Sequence, residues 1–454
     1  MTVYGGDEIN ALVLDPGSWY TRFGYAGDDF PKVITPSYYA EKEDGTRLFG
    51  DEQLNVPREN CEIKSIITDS IVTDWDAAFA QFSHYFDTTL QIEQPDQPIL
   101  ITEPVWASTE YRQKMIEQFY EQYNFPGLYL AKTPTCVSFQ QGRPNCLVVD
   151  IGHDSVSVTP VVDGISLLKH SVRTHYAGQF LNDEIADYMA AKPVDAVPSF
   201  EVASKEVTKW PEGPTFTKRK VPKFSASFEA YHRAKIWHEF KETALEVPDK
   251  SLAQDKDDEE YTGEAAERLF EMPTGQQVPV GYERFQIAES VFDPHIYKFQ
   301  DTEKYNYPDE NGDLNIKGVY DDHRATKRQR TAEKLSDAAA ESDGNTTRGL
   351  AKLISHTLNS VDIDLRASAA HNIIVTGGTS LVPHLTERLY KELSTANPGL
   401  KMRLHAVGNS SERVNQAWIG GSVLASLGTF HQLWVSKQEY EEVGADRILT
   451  QRFR

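Results

Sequence analysis

Two short segments of the sequence share a pattern that can bind phosphate and a divalent cation. NALVLDPGS begins at Asn10 and NCLVVDIGH at Asn145, and both read N-x-L-V-aliphatic-D-x-G. Their acids, Asp15 and Asp150, can hold a hydrated cation through water, because Mg²⁺ and Ca²⁺ prefer carboxylate oxygens. The glycine two residues on lets backbone N–H groups approach the oxygens of a polyphosphate without a Cβ in the way. The pair predicts a nucleotide cleft between two facing hairpins.

A third segment, NIIVTGGTS from Asn372 to Ser380, is predicted to be a strand, then the glycine pair Gly377–Gly378, then a helix. A glycine pair lets a flat base lie against the backbone, and the start of a helix adds a positive dipole. Alone, a D-x-G turn or a glycine pair is usually a simple turn. Three such elements in one chain favour a nucleotide cleft over three unrelated turns.

The elements that must hold these turns alternate between strands and helices. ALVLD (11–15) and CLVVD (146–150) are short apolar runs typical of buried strands, and residues 109–123 have apolar side chains at helical spacing. This alternation predicts an α/β fold. Asp15 and Asp150 lie 150 − 15 = 135 residues apart, so the repeat is consistent with a duplicated domain.

Composition and charge exclude several classes of protein. The chain has 454 residues, of which 39% are hydrophobic and 25% charged, as in ordinary globular proteins. The acidic start MTVYGGDEIN and the lack of a long apolar run predict neither a signal peptide nor a membrane span, so we expect the cytosol or the nucleus. A net charge of −22 disfavours generic DNA binding. Three scattered cysteines without a CxxC pair disfavour structural zinc and a disulfide framework.

Two stretches interrupt the α/β pattern and are predicted to be insertions. Residues 193–227 contain five prolines and many charges, which is typical of irregular structure. Residues 298–347 are too polar to bury a core of their own and predict a flexible loop. This loop contains KRQR at 327–330, either a nuclear import signal or an ordinary basic surface run. The acid-rich SLAQDKDDEE at 251–260 either attracts histone tails or is a solvated face.

Motifs along nearly the whole chain resemble the actin family. DPGSWYTRFGYAGDDFPKVITPS at 15–37 is similar to the first phosphate-binding hairpin of actin, and VVDIGHDSVSVTPVVDG at 148–164 to the second. Further similar stretches are IVTDWD at 71–76, MPTGQQVPVGYERF at 272–285 and VTGGTSLVPHLTERL at 375–389. The resemblance implies the bilobed actin-like fold, with duplicated ribonuclease H-like domains, of the ATPase-domain superfamily that includes sugar kinases and heat-shock chaperones.

This resemblance also implies a domain division and a binding site. Residues 1–144 would form the first lobe, with subdomains 1 and 2, closed by the C-terminal segment 402–454, and residues 145–401 the second lobe, with subdomains 3 and 4 and both insertions. The implied cofactors are ATP and Mg²⁺, or Ca²⁺, with the metal held through water by Asp15 and Asp150. The residues implied to bind the nucleotide are Asp15, Gly17, Ser18, Trp19, Arg22, Asp150, Gly152, His153, Asp154, Ser155, Gly178, Lys241, Glu242, Gly377, Gly378, Thr379 and Leu381.

Four positions of the site depart from the actin pattern. Trp19 replaces a glycine of the first turn, His153 replaces the second aspartate of the second hairpin, and Val414 replaces a lysine on the side of the base. Thr133 stands where actin has the glutamine that orients the attacking water. Threonine is too short for that task, so the resemblance implies ATP binding with little or no hydrolysis and assigns no catalytic residue.

The departures also bear on partners. The charged segment EKEDGTR at 41–47 and the insertion 298–347 stand where actin has apolar filament contacts, so we expect no homopolymer. Together with Thr133 and DIGHDSVSV, they resemble the nuclear actin-related proteins, which are subunits of chromatin-remodelling and histone-acetyltransferase complexes. The resemblance implies a nuclear protein whose partners are actin, other complex subunits and a helical segment of the remodeller's motor subunit. The residues implied to line the groove for that helix are Phe139, Gly142, Ile419, Val423, Leu424 and Leu427.

Other interpretations stay open at this point. Val423, Leu424 and Leu427 have the spacing of an ordinary helix core. The function could instead be that of an active actin-like ATPase that forms filaments, or of a sugar kinase, although the sequence dictates no carboxylate base beside a sugar pocket. A chaperone ATPase is disfavoured, because residues 418–454 resemble the end of actin.

Overall fold

The computed structural model describes residues 11–253, 259–263, 266–302, 304–305 and 349–453. The basic run at 327–330, most of the predicted loop 298–347 and the middle of the acid-rich stretch 251–260 lie outside the described residues. The division into lobes at residues 144 and 145 stays a prediction.

The first large sheet contains the segment that ends in Asp15. Leu12–Pro16 pairs antiparallel with Tyr20–Tyr25, and this pair is called the first hairpin. On its other side, Leu12–Pro16 runs parallel to Ile99–Glu103. The six strands of this sheet, in spatial order, are Val435–Ser436, Gly127–Lys132, Ile99–Glu103, Leu12–Pro16, Tyr20–Tyr25 and Val33–Pro36.

The second large sheet repeats this arrangement around Asp150. Cys146–Ile151 pairs antiparallel with Val156–Val162, which is called the second hairpin, and runs parallel to Ile373–Thr376. The strands in order are Ile165–Ser166, Val156–Val162, Cys146–Ile151, Ile373–Thr376 and Leu404–Ala406, with Val172–Thr174 also paired to Val156–Val162. In each sheet, the acid therefore lies near the end of a strand that has its antiparallel hairpin partner on one side and a parallel strand on the other. The predicted α/β fold is confirmed.

Helices cover these sheets and supply several residues of the site. The helix predicted over 109–123 is confirmed as Thr109–Glu121, and Ser108 Oγ caps it by accepting a hydrogen bond from the Tyr111 N–H at 3.2 Å. Within the described residues, none of the helices combines the length and the apolar character needed to cross a bilayer. The α-helices are Asp51–Leu54, Trp75–Tyr85, Thr109–Glu121, Thr133–Gln140, Gly178–Ala190, Ala226–Ala244, Glu259–Thr262, Tyr282–Glu289, Leu350–Ser360, Ile363–His371, Leu385–Ala396, Ser410–Val414, Gln416–Ser426 and Lys437–Gln451.

Smaller strands form four further sheets. Their members, grouped by sheet, are Arg47–Leu48, Tyr38–Lys42 and Cys61–Ser65; Ile67–Thr68 and Ile71–Val72; Val202–Lys205 and Phe216–Lys218; and Thr208–Lys209, Gln276–Val280 and Arg268–Glu271.

A hydrophobic cluster joins residues of the two predicted lobes, and we call it the bridge cluster. It consists of Ala40, Leu54, Cys61, Ile63, Phe200, Phe228 and Tyr231. Hydrogen bonds run along the same seam: Ser225 Oγ donates to the Cys61 carbonyl at 2.7 Å, and the Ile63 N–H donates to Ser227 Oγ at 3.1 Å. Because its core is apolar, separating the two sides would expose hydrophobic surface to water.

The prediction that residues 193–227 are irregular holds for most of this stretch but missed several short ordered elements. The stretch contains a 3₁₀ turn at Ser199–Glu201 and three of the short strands, and its last two residues start the helix Ala226–Ala244. Phe200 and Val202 are buried, and Phe200 belongs to the bridge cluster. The stretch orders because it buries these apolar side chains, a contribution that its prolines and charges concealed.

A single carboxylate fixes the start of the second insertion. Asp187, on the helix Gly178–Ala190, accepts hydrogen bonds from Tyr297 Oη at 2.8 Å, the Gln300 N–H at 2.9 Å and the Asp301 N–H at 3.2 Å. Where the described chain resumes, the Leu350 N–H donates to the Val291 carbonyl at 2.9 Å. Both ends of the undescribed segment are therefore attached to the hydrophobic core around the second large sheet, which we call the second core.

Candidate functional site

The turns of both hairpins face one cavity of about 360 Å³, a size typical of small-molecule sites. All of the predicted nucleotide-binding residues except Gly178 line it, as do Thr133 and Val414. Gly178 lies directly behind the wall, where its carbonyl accepts a hydrogen bond from Lys241 Nζ at 3.1 Å. Residues more than 350 positions apart in sequence, such as Asp15 and Gly377, therefore meet in one place.

In the first hairpin, the carboxylate of Asp15 is buried and held on both oxygens. Arg22 Nη1 donates to Oδ2 at 3.1 Å, and Thr102 Oγ1 donates to Oδ1 at 2.5 Å. Arg22 is itself fixed by Asn415, whose Oδ1 accepts from Nε at 2.6 Å. The register explains the contact, because Asp15 and Arg22 are opposite each other in the hairpin. Arg22 therefore places a rigid cation beside the first turn.

In the second hairpin, Asp150 faces an environment that opposes its ionisation. Burial is the main cause that raises the pKa of its carboxyl to about 6, and the nearby charge of Asp15 adds to the shift. A divalent cation held by Asp15 and Asp150 would offset this penalty, because its positive charge would favour the ionised form of both acids. The two acids thus fit a cation held through water, as the resemblance implied.

Glycines let the backbone approach closely at the base of the cavity. Gly377 has a φ of +91°, and a Cβ there would lie 2.3 Å from the Ile151 carbonyl oxygen and 2.6 Å from Asp150 Oδ1. A Cβ at Gly178 would lie 2.6 Å from Thr379 Oγ1. Any larger residue would therefore force the second hairpin and the glycine turn apart. The cradle fits a polyphosphate whose oxygens accept from backbone N–H groups.

The prediction of a helix directly after Gly377–Gly378 was wrong. Residues 378–381 form only a 3₁₀ turn, and the longer helix begins at Leu385. Pro383 cannot donate a backbone hydrogen bond and His384 has a φ of +63°, so the helix cannot extend back to the glycines. The predicted dipole of a helix that starts at the glycine pair therefore does not contribute to the site.

A lysine adds positive charge at the opposite wall. Lys241 is buried on the helix Ala226–Ala244, and burial lowers its pKa to about 8. Its hydrogen bond goes to the Gly178 carbonyl rather than to a carboxylate. A buried ammonium with a neutral partner is poorly compensated, so the site favours an anionic ligand. Arg22 and Lys241 together suit the negative charge of a nucleoside triphosphate.

Thr133 lines the cavity but its hydroxyl is already engaged. Oγ1 donates to the Glu103 carbonyl at 3.1 Å, at the start of the helix Thr133–Gln140. The short side chain is therefore turned towards the Glu103 carbonyl, at the end of the strand Ile99–Glu103. This geometry does not present an amide to a water molecule in the cavity.

His238 is a candidate functional residue that no sequence motif predicted. It lines the cavity, its ring stacks on the indole of Trp19 with centroids 4.8 Å apart, and its Nε2 lies 3.2 Å from Glu242 Oε1. The only available signal was its position one helical turn before Glu242. Sequence alone does not show that this helix returns to the first hairpin.

The predicted partner groove is only partly at the surface. Val423 and Leu427 are each 39% exposed, whereas Ile419 and Leu424 belong to a buried cluster with Trp418. The last two are therefore buried in the free chain, and their assignment to the groove stays a prediction. The reason for their burial is the tight crossing of the helices Thr133–Gln140 and Gln416–Ser426, where a Cβ at Gly420 would lie 1.8 Å from the Cys136 carbonyl oxygen.

Further exposed residues adjoin this surface. Phe139 is half-buried and Gly142 is exposed. The turn at Gly164 lies against the Phe139 ring, since a Cβ there would be 3.3 Å from it, and the next residue, Ile165, is 65% exposed. Ile165 was not predicted, because an apolar residue in a short hairpin strand usually points to the core. We use the name apolar groove for the predicted partner surface, taken as Phe139, Gly142, Ile165, Val423 and Leu427.

Comparison with known proteins identifies the family. The family described as Actin matches residues 6–454. Actin-related protein 4 of Candida albicans is 57% identical over 470 residues, covering 100% of this chain and 98% of the relative. Actin-related protein 4 of Debaryomyces hansenii is 55% identical over 485 residues, with the same coverage, and that of Saccharomyces cerevisiae is 38% identical over 502 residues, covering 100% and 99%. The expected actin-like fold is confirmed, and the chain belongs to the actin family, where its similarity lies with actin-related protein 4.

Proposed function

We propose that the chain is a non-filamentous nuclear scaffold protein that binds ATP with Mg²⁺, or Ca²⁺, and hydrolyses it little or not at all. The ATP-binding part is supported by the two acids, two cations and close glycine turns around one cavity. Bound ATP would supply a polyanion that links both hairpins. A ligand at 100 times its Kd adds about 2.7 kcal/mol to stability by linkage, so ATP would act here as a structural element.

The absence of hydrolysis is supported by one observation, the engagement of Thr133 with the Glu103 carbonyl. We expect the purified chain to retain ATP without measurable turnover. Replacing Thr133 with glutamine restores an amide that can orient water, and we expect turnover to rise by about tenfold or more, the effect of one hydrogen bond of ~1.4 kcal/mol. The measurement is phosphate release under single-turnover conditions.

Two variants control this experiment. Thr135→Gln is on the same helix, but its hydroxyl pairs with Ser166 Oγ at 2.9 Å and it does not line the cavity, so it should leave turnover unchanged. Asp150→Ala should show neither binding nor turnover. Hydrolysis by the unmodified chain at the rate of actin, lost in Asp150→Ala, would instead favour the active ATPase.

We further propose that the scaffold is a structural and regulatory subunit of chromatin-remodelling and histone-acetyltransferase complexes, where it pairs with actin on a helical segment of the motor subunit. The relatives' name, actin-related protein 4, and the exposed apolar groove support this role. We also propose that the acidic residues of 251–260 contact histones and that the basic run at 327–330 acts as a nuclear import signal.

The apolar groove gives a direct test of pairing. The double variant Val423→Asp/Leu427→Asp places two charges on the exposed face, and we expect it to weaken binding of the motor-subunit helix by about 2 kcal/mol, or roughly 30-fold. Ile363→Asp is a matched control, since Ile363 is 73% exposed on the separate helix Ile363–His371. Fluorescence anisotropy of a labelled helical peptide, with actin present, measures the effect. Equal binding by all three proteins would argue against the groove.

A further inference from the structure

The indole of Trp19 connects the first hairpin to two elements of the other predicted lobe. Its ring stacks on His238, with centroids 4.8 Å apart and planes 15° apart. It also lies 4.6 Å from the ring of His153, at 45°. His238 is on the helix Ala226–Ala244 and His153 is in the turn of the second hairpin. One side chain therefore contacts both walls that face the first hairpin across the cavity.

The same indole is continuous with the bridge cluster. Tyr38 packs edge-on against Trp19 with centroids 5.6 Å apart, and Tyr38 contacts Tyr231 of the bridge cluster at 5.1 Å. The aromatic contacts thus run without interruption from the cavity to the apolar seam. Of the three residues Trp19, Tyr38 and Tyr231, Trp19 is the one that lines the cavity.

On its other edge, His238 holds an acid of the site. His238 Nε2 lies 3.2 Å from Glu242 Oε1, one helical turn further on. Without this contact Glu242 would be less restrained, because its side chain is 65% exposed. Trp19 therefore restrains Glu242 through the histidine ring, and a change of the indole should be felt at the carboxylate.

The charges around His238 are compatible with a neutral, stacked ring. Lys235 and Lys241 on its own helix oppose a positive charge on the imidazole, Glu242 favours one, and Trp19 and His153 supply no charge. Burial is the main cause that lowers the pKa of His238. At neutral pH the ring therefore packs on the indole as an uncharged aromatic group.

We propose that Trp19 and His238 are positioning residues that retain the nucleotide: their stack holds the two predicted lobes together across the cavity and fixes Glu242 against the ligand. This inference rests on the proposed ATP binding and adds the contact that slows its release. The proposal requires a ligand to leave the cavity past this stack, so that the indole and the histidine must separate first. The stack should therefore control the dissociation rate more than the association rate.

The test is the dissociation rate of a fluorescent ATP analogue from the full chain with Mg²⁺, measured by chasing with excess ATP. We expect Trp19→Gly to speed dissociation by roughly tenfold, whereas Trp19→Phe, which keeps an aromatic ring, stays close to the unmodified chain. His238→Ala should match Trp19→Gly. His238→Phe keeps the stack but not the contact with Glu242, and should have an intermediate rate. Trp434→Phe, outside the cavity, is the control.

A double variant decides whether the two residues act as one unit. Trp19→Gly/His238→Ala should dissociate no faster than either single variant, because the second change removes a contact that is already lost. Multiplicative effects, or an unchanged rate in Trp19→Gly, would overturn the inference while leaving ATP binding intact. If the unmodified chain takes up no labelled ATP, both this inference and the proposed function fail.

Trp19→Phe and His238→Phe keep the test valid if Trp19→Gly or His238→Ala unfolds. Both fill most of the original volume, and their unfolding midpoints should stay near that of the unmodified chain. A dissociation rate in Trp19→Phe as fast as in Trp19→Gly, with the fold intact, would show that aromatic contact does not retain the ligand and would also overturn the inference.

Discussion

Replacing Arg388 with methionine is expected to lower the free energy of unfolding by about 3–5 kcal/mol, because it leaves a carboxylate buried without its partner. Arg388 and Glu289 are almost fully buried, with side chains 2% and 1% exposed. Arg388 Nη1 and Nη2 donate to the two oxygens of Glu289 at 2.9 and 2.8 Å, and Nη1 also donates to the Pro248 carbonyl at 2.8 Å. The pair joins the helices Leu385–Ala396 and Tyr282–Glu289.

Urea unfolding followed by circular dichroism measures this loss. The control is a surface ion pair of Lys391, which is on the same helix as Arg388. Lys391 and Asp249 lie 3.3 Å apart and are each more than half exposed. Lys391→Met should therefore lower the free energy of unfolding by less than about 1 kcal/mol. The double variant Arg388→Met/Glu289→Leu should recover most of the loss, since it removes the orphaned charge as well. A double variant as unstable as Arg388→Met alone would contradict this explanation.

The second large effect is expected at Asp150, where function and stability should change in opposite directions. Asp150→Asn removes one of the two acids proposed to hold the cation, and we expect affinity for Mg²⁺-ATP to fall by about 100-fold, or ~2.7 kcal/mol. Without ligand, the same variant should be more stable than the unmodified chain at pH 7. Isothermal titration calorimetry and urea unfolding measure the two effects.

The pH dependence of the stability gain follows from the shifted pKa. The carboxyl of Asp150 has a pKa of about 6 in the folded chain and an ordinary value of 3.8 when unfolded. The folded state therefore binds more protons between pH 4 and 6, and the unmodified chain loses stability as the pH rises through that interval. Asparagine does not titrate, so the advantage of Asp150→Asn should be absent below about pH 4 and reach about 3 kcal/mol well above pH 6.

An exposed acid that follows the second hairpin is the matched control. Asp163 is exposed in the turn after the strand Val156–Val162, where asparagine tolerates the positive φ of 51°. Asp163→Asn should change neither ATP affinity nor the pH profile. Nucleotide affinity that survives Asp150→Asn, with the cation still required, would place the metal elsewhere.

The sequence could predict the cavity because its main parts are local. A strand, an acid and a glycine two residues later lie within nine residues, and the repeat at Asp15 and Asp150 predicted two equivalent turns. The two turns end equivalent strands of two separate sheets, and the structure shows that both line one cavity. The assignment of Arg22 came from the resemblance to actin, and the structure adds the register that places it opposite Asp15.

Other parts of the site depend on contacts that no local pattern contains. His238 reaches Trp19 only because the bridge cluster brings the helix Ala226–Ala244 to the first hairpin. Ile419 and Val423 are four residues apart on one helix, yet one is buried and the other 39% exposed. Apolar spacing cannot separate these faces, because Gly420 allows the neighbouring helix to cover one of them closely.

The three hydrogen bonds that Asp187 accepts have a practical consequence for tagging the protein. They hold residues 297–301 on the second core, and the Leu350–Val291 hydrogen bond holds the chain again at 350. Between two such fixed points, doubling the length of the intervening chain costs only about 0.6 kcal/mol of closure entropy. A fluorescent protein inserted between residues 306 and 348 should therefore leave folding intact, which makes this segment a suitable place to label the protein inside a larger assembly.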